Sequence, residues 1–144
     1  YVYTMIAGII YIILLPIQVV YNYKKWMKEK EKDIYYNFIK ECVSSNDNWR
    51  IRFGLVTLLG YYLEENYIDE IFYLCTNITN REYYVKMAQA WLISIMFIKF
   101  REKTLDYLKE NTLDNWIQNK TIQKIRESTR VSKEDKDLVL TFKR

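Results

Sequence analysis

Arg52, Lys86 and Lys120 stand at successive intervals of 34 residues, each early in a mainly apolar stretch. A single lysine is ordinarily a solvated surface charge, but three cations in register can hold successive phosphates of a polyanion. Neutralising phosphates releases their counterions, so such binding is steep in salt and nearly indifferent to base sequence. Lys124 is read with the same set. The charges also sort by segment. From Asn48 to Leu63 the charged residues are Arg50 and Arg52; from Tyr83 to Phe100 they are Lys86 and Lys99; from Asn115 to Arg126 they are Lys120, Lys124 and Arg126. None of these windows holds an acid, whereas Glu64, Glu65, Asp69, Glu70, Glu102 and Asp106 fall in the segments between.

Other chemistry is excluded early. The chain has no histidine, which removes Ser-His-Asp and Cys-His catalysis, imidazole bases and the His-containing zinc sites. Cys42 and Cys75 are 33 residues apart and lack CxxC spacing, so neither a redox dithiol nor a multi-cysteine zinc site is expected. They read as reduced, buried small hydrophobes of a cytoplasmic protein. No metal and no cofactor is expected.

The elements that carry the cations must be helices. With 3 Gly and 1 Pro in 144 residues, turn-makers are too few for a sandwich and an all-α fold is favoured. Apolar residues at three- and four-residue spacing predict helices over 34–44, 48–64, 67–77, 81–99, 102–110, 113–129 and 133–142. Asp47, Asn80, Thr112 and Ser132 are the expected N-caps. Residues 24–33, eight of them charged, read as a linker or solvated helix end. The uncharged residues 1–23 leave three readings open: a membrane helix, a buried helix, or a terminus foreign to the intact protein.

A recurrence near 34 residues is the mark of helix-pair solenoids, in which each pair buries its apolar face against its neighbours. In a curved stack the second helices of successive pairs line the inner surface, so residues 34–144 are expected to form a repeat domain with a positive concave face. The tyrosine pairs Tyr35/Tyr36, Tyr61/Tyr62 and Tyr83/Tyr84 should each place one ring in the core and one at the rim, because adjacent helical residues diverge by about 100°.

The stretches NWRIRFGLVTLL (48–59), EYYVKMAQAWLISIMFIKF (82–100) and NKTIQKIRESTRVSKEDKDLV (119–139) resemble the DNA alkylation repair family, the AlkD-like HEAT-repeat DNA glycosylases. The resemblance runs over about residues 33–144. It implies a right-handed superhelical stack of HEAT-like antiparallel helix pairs, monomeric, gripping double-stranded DNA that carries alkylated bases. Arg52 would hold the DNA backbone at the lesion, and Trp91 would wall the cleft beside the lesion's sugar. Periodicity alone sets Trp91 about 140° from Lys86, off the basic stripe, where core packing is the ordinary reading of a tryptophan.

The family hydrolyses the N-glycosidic bond of alkylated purines, using a carboxylate and aromatic faces to stabilise the cationic sugar. Counting back from Arg52 along the family's spacing to its catalytic aspartate reaches Ile17, and no Asp or Glu precedes Glu29. Either the N-terminal repeats are missing or replaced, or the chain is a truncated or frame-disrupted copy; the expectation is a relative that binds DNA, with glycosylase activity left open and no catalytic residue assigned. Asp47 and Asp114, the acids nearest the expected cleft, read as caps. The alternatives are an adaptor that uses the same groove for an acidic protein segment, and a domain tethered to a membrane through residues 1–23.

Overall fold

A computed structural model describes residues 31–144, all-helical and without a strand among them. Seven helices follow one another: α1 (Lys32–Val43), α2 (Asn48–Tyr61), α3 (Glu65–Asn77), α4 (Tyr83–Lys99), α5 (Arg101–Glu110), α6 (Asn115–Glu127) and α7 (Lys133–Leu140). Two compact units divide at Asn37, and the second, Phe38–Arg144, carries every feature described below. The readings of residues 1–23 and of most of 24–33 fall outside the described residues; Lys32 and Asp33 open α1. No helix among the described residues is long and apolar enough to cross a membrane.

The apolar spacing sets which face each helix buries. Ile51, Leu55 and Leu58 on α2, Ile68, Ile71 and Cys75 on α3, and Ile117, Ile122 and Ile125 on α6 are buried at helical intervals. Each large aliphatic side chain so removed from water contributes about 1.5–3 kcal/mol. The central helix is α4, with 9 of its 17 residues buried; it packs directly against α2, α5 and α6. The result is a row in which α2, α4 and α6 lie side by side. At Gly54 the backbones of α1 and α2 come so close that a Cβ would lie 2.6 Å from Val43 Cγ2 and 3.2 Å from Ile39 O.

Within the core, two glutamines perform the same task. Gln89 of α4 donates from Nε2 to Cys75 O at 3.0 Å, and Gln118 of α6 donates to Leu108 O at 2.9 Å. Both acceptors are in the final turns of their helices, α3 and α5, where carbonyls have no intrahelical partner. Each glutamine is fully buried. Cys42 and Cys75 are free and buried, and burial pushes the Cys75 thiol up to about 12.

Two expected caps hold and two move. Asp47 accepts from Arg50 N at 2.8 Å and Ser132 from Asp135 N at 3.2 Å. The N-cap of α4 is Glu82 rather than Asn80, its carboxylate taking Tyr84 N at 2.7 Å. That of α6 is Asp114, in keeping with its reading as a cap, and not Thr112; it takes Trp116 N at 2.9 Å. The reason is an extra bend before each helix: Asn80 Oδ1 accepts from Glu82 N, and Asn111 Oδ1 from Leu113 N, so the asparagines shape the loop and an acid caps two or three residues later. Both helices therefore start two residues later than expected.

Candidate nucleic-acid interface

The first turns of α2, α4 and α6 meet at one edge of the row, fastened by aromatic rings. Trp49 stacks on Tyr84 with centroids 5.8 Å apart, Tyr84 meets Tyr83 edge-on at 5.3 Å, and Tyr83 meets Trp116 at 5.9 Å. The rings form a continuous ladder from α2 across α4 to α6. Trp49, Tyr83 and Tyr84 are 66%, 54% and 50% exposed, so the ladder is a surface feature. The core-and-rim expectation holds for Tyr61 and Tyr62, the latter fully buried, but not for Tyr83 and Tyr84. As the first two residues of α4, these lie above the packed core, where both of their directions face solvent.

Three of the expected phosphate-binding residues lie along this ladder. Arg52 donates from Nη1 to Tyr84 O at 2.9 Å, and its guanidinium carbon lies 5.7 Å from the Tyr84 ring centroid. Lys86 Nζ sits 4.5 Å from the centroid of Trp116, and Lys120 Nζ 5.5 Å from the same centroid. Tyr84 and Lys86, about 200° apart around α4, straddle that helix, one reaching to α2 and the other to α6. Lys120 also donates to Gln123 Oε1 at 2.8 Å. The structure thus brings Arg52, Lys86 and Lys120 into one connected cluster. Lys124, a turn beyond Lys120 on α6 and half-buried, lies outside it.

Trp91 is also outside the ladder. It is 40% exposed, and its place on α4 is two turns beyond Tyr84, hence within about 20° of that ring's direction and about 10 Å further along the axis. A core role is therefore not what the packing gives it.

The ion pairs of the described residues fall elsewhere. Lys40 on α1 pairs with Glu70 on α3 at 3.2 Å. Lys103 on α5 pairs with Glu65 and Asp69 on α3 at 2.6 and 3.3 Å. Arg101 on α5 forks onto Asp135 of α7 at 2.6 and 2.8 Å and also reaches Glu102. The Arg101 guanidinium holds the Asp135 carboxyl below the usual range, while the Glu65 hydrogen bond holds the Lys103 ammonium above its own. Charge pairing therefore joins the odd-numbered helices. Arg52, Lys86, Lys120 and Lys124, all on even-numbered helices, make no ion pair among the described residues. The three acids at the ladder's edge, Asp47, Glu82 and Asp114, are each committed to the first-turn amides of their own helix.

The ladder's signal in the sequence lies in the aromatics and not in the cations. Asp47-Asn48-Trp49, Glu82-Tyr83-Tyr84 and Asp114-Asn115-Trp116 repeat one device, a capping acid with a ring two residues later and a cation within the next turn. Among the described residues, no group of three or more Cys, Asp or Glu could hold a metal ion.

Compared with protein-family models, curated proteins and solved structures, the chain matches none.

Proposed function

We infer that the chain grips double-stranded DNA through the face carrying Arg52, Lys86, Lys120 and Lys124, as a helical-repeat domain of alkylation-repair descent. The observation that carries this reading is the division of charge: carboxylates neutralise cations between odd-numbered helices, whereas four cations of the α2, α4 and α6 row have none. Lys86 and Lys120 even share one aromatic ring, that of Trp116, and neither pairs with an acid among the described residues. Like charges gathered at one ring repel, and a phosphate backbone relieves that repulsion. Arg52 has one N–H committed to Tyr84 O; the guanidinium has others to offer a phosphate, held in fixed orientation.

In this reading α2, α4 and α6 form the inner row of a right-handed superhelical, HEAT-like stack, and Trp91 walls the groove beside the gripped strand. Hydrolysis of an alkylpurine bond would need a carboxylate free to face the sugar. Asp47, Glu82 and Asp114, the acids at the ladder's edge, are engaged as caps, so what this edge offers is grip. A second reading rests on Phe53 and Trp91, 45% and 40% exposed on the neighbouring helices α2 and α4: apolar surface beside cations also suits an acidic, amphipathic protein segment.

Fluorescence anisotropy with a labelled blunt duplex and a labelled acidic peptide tests both. The duplex reading expects saturable duplex binding that Arg52→Gln with Lys120→Gln weakens at least tenfold. Peptide binding that survives high salt, with no duplex binding, would establish the adaptor in its place.

A further inference from the structure

A cavity of about 630 Å³ opens where α6 faces residues 140–143, at the end of the ladder. Its size lies within the range of about 300–1,000 Å³ typical of small-molecule sites. The wall on the ladder side is Trp116, already flanked by Lys86 and Lys120. Ile122 and Leu140 supply apolar lining, and Lys120, Arg126 and Lys143 bring three positive charges against the single carboxylate of Glu127. That carboxylate accepts from Gln123 Nε2 at 2.7 Å, while Gln123 Oε1 takes Lys120. Arg126 and Lys143 form no ion pair among the described residues.

The wall bearing Lys143 is built, not draped. On one side of it Phe142 O accepts from Gln118 Nε2 at 3.1 Å. On the other, Arg144 and Asn119 exchange two bonds, and the Arg144 guanidinium donates to Leu113 O and Asn111 O at 3.2 and 2.7 Å. Lys143 is thus held between two anchored neighbours, opposite α6. A broad aromatic wall, a small apolar lining and a net local charge of +2 from three bases and one acid fit a flat heteroaromatic ring joined to one phosphate.

We propose that this cavity is a binding site for one unstacked nucleotide, its base against Trp116 and its phosphate between Arg126 and Lys143. Bases stack on aromatic side chains whatever their identity, and cations beside the ring follow the phosphate. The net charge suits a monophosphate or a phosphodiester better than a triphosphate. A free mononucleotide and an unpaired nucleotide of a DNA strand present this same chemistry. The site adds to the duplex grip: continuous with it through Trp116 and Lys120, it would make the chain prefer duplex DNA that carries an unpaired nucleotide. That preference rests on the duplex reading, whereas the nucleotide site itself does not.

The test compares a labelled blunt duplex, the same duplex with a short adenine overhang, and adenosine monophosphate as ligand and competitor. The overhang should raise affinity about tenfold, toward the lower end of what one stacked base contributes, and the mononucleotide should erase that gain. Arg126→Gln with Lys143→Gln should bring the overhang-to-blunt ratio close to one. Trp116→Phe should keep the ratio and Trp116→Leu lose it. Arg52→Gln should weaken both duplexes together and leave the ratio intact, separating this site from the grip. A wild-type ratio near one without mononucleotide binding overturns the proposal, as does a ratio that survives in the Arg126/Lys143 variant. Mononucleotide binding that the double variant abolishes, with no duplex bound, supports the site and removes the duplex reading instead.

Discussion

Removing the charges of Lys86 and Lys120 by Lys→Gln at both positions should change how duplex affinity responds to salt, by an amount that follows from the contact inventory. Each phosphate neutralised contributes about 0.9 to the slope of log affinity against log salt. With Arg52, Lys86, Lys120 and Lys124 all engaged, the wild-type slope is about −3.6, so affinity falls about 150-fold between about 50 and 200 mM salt. With two contacts left the slope is about −1.8 and the same change costs about twelvefold. Lys86 and Lys120 also lose their places over the Trp116 ring at 4.5 and 5.5 Å. Those contacts are exposed and each is worth about 0.5–1 kcal/mol, so the variant should fold, as circular dichroism would show. The matching control neutralises Lys40 and Lys103, whose partners are Glu70, Glu65 and Asp69, and should leave the slope at its wild-type value. Anisotropy titrations across a salt series give both slopes. An unchanged slope in the Lys86/Lys120 variant, or an equal drop in the control, would refute the assignment of the phosphate contacts to this face.

Other outcomes follow from the packing. Gly54→Ala forces a methyl to within 2.6 Å of Val43 Cγ2, with the backbone atoms Ile39 O and Val43 N both at 3.2 Å and unable to retreat; the strain outweighs the helix propensity gained, and denaturant titration should show a net loss of about 1–2 kcal/mol. Gln118→Leu strips the donors from Leu108 O and Phe142 O and the acceptor from Asn111 Nδ2 and should cost about 2–3 kcal/mol. Gln89→Leu loses a single bond and removes a buried Oε1 that has no partner, so its cost should be near 1 kcal/mol by the same measure. The Asp135 carboxyl is held below its ordinary value of 3.8 by Arg101. A depressed folded-state value stabilises the protein above that ordinary value and loses its contribution as the carboxylate is protonated at lower pH. Asp135→Asn should accordingly flatten the acid limb of a thermal-denaturation pH profile and leave Cys75 buried.

Helix content was readable from spacing alone, because Ile51, Leu55 and Leu58 or Ile117, Thr121 and Ile125 can be buried together only on a helix. Helix starts were less readable. Asn80 and Asn111 hydrogen-bond the backbone two residues ahead, so a cap-like residue type marks the loop and the helix opens only after Glu82 or Asp114. The register of Arg52, Lys86 and Lys120 pointed to one surface, but not to what fastens them. That depends on Trp49, Tyr83, Tyr84 and Trp116, each of which contacts a ring from another helix, and cross-helix contact leaves little trace in local periodicity. Trp91 shows the opposite failure. Its apolar surroundings in sequence favour the core, yet it is 40% exposed, in line with the exposed Tyr84 two turns earlier on α4.

The buried glutamines bear on how the protein breathes. If the last turn of α3 were to fray, the Gln89 amide would lose Cys75 O inside a dry core with no water to replace it; the same holds for α5 through Gln118 and Leu108 O. Such a turn can open only together with the helix that follows it, so amide protons at the ends of α3 and α5 should exchange with deuterium at the rates of α4 and α6, and not at those of loose helix ends.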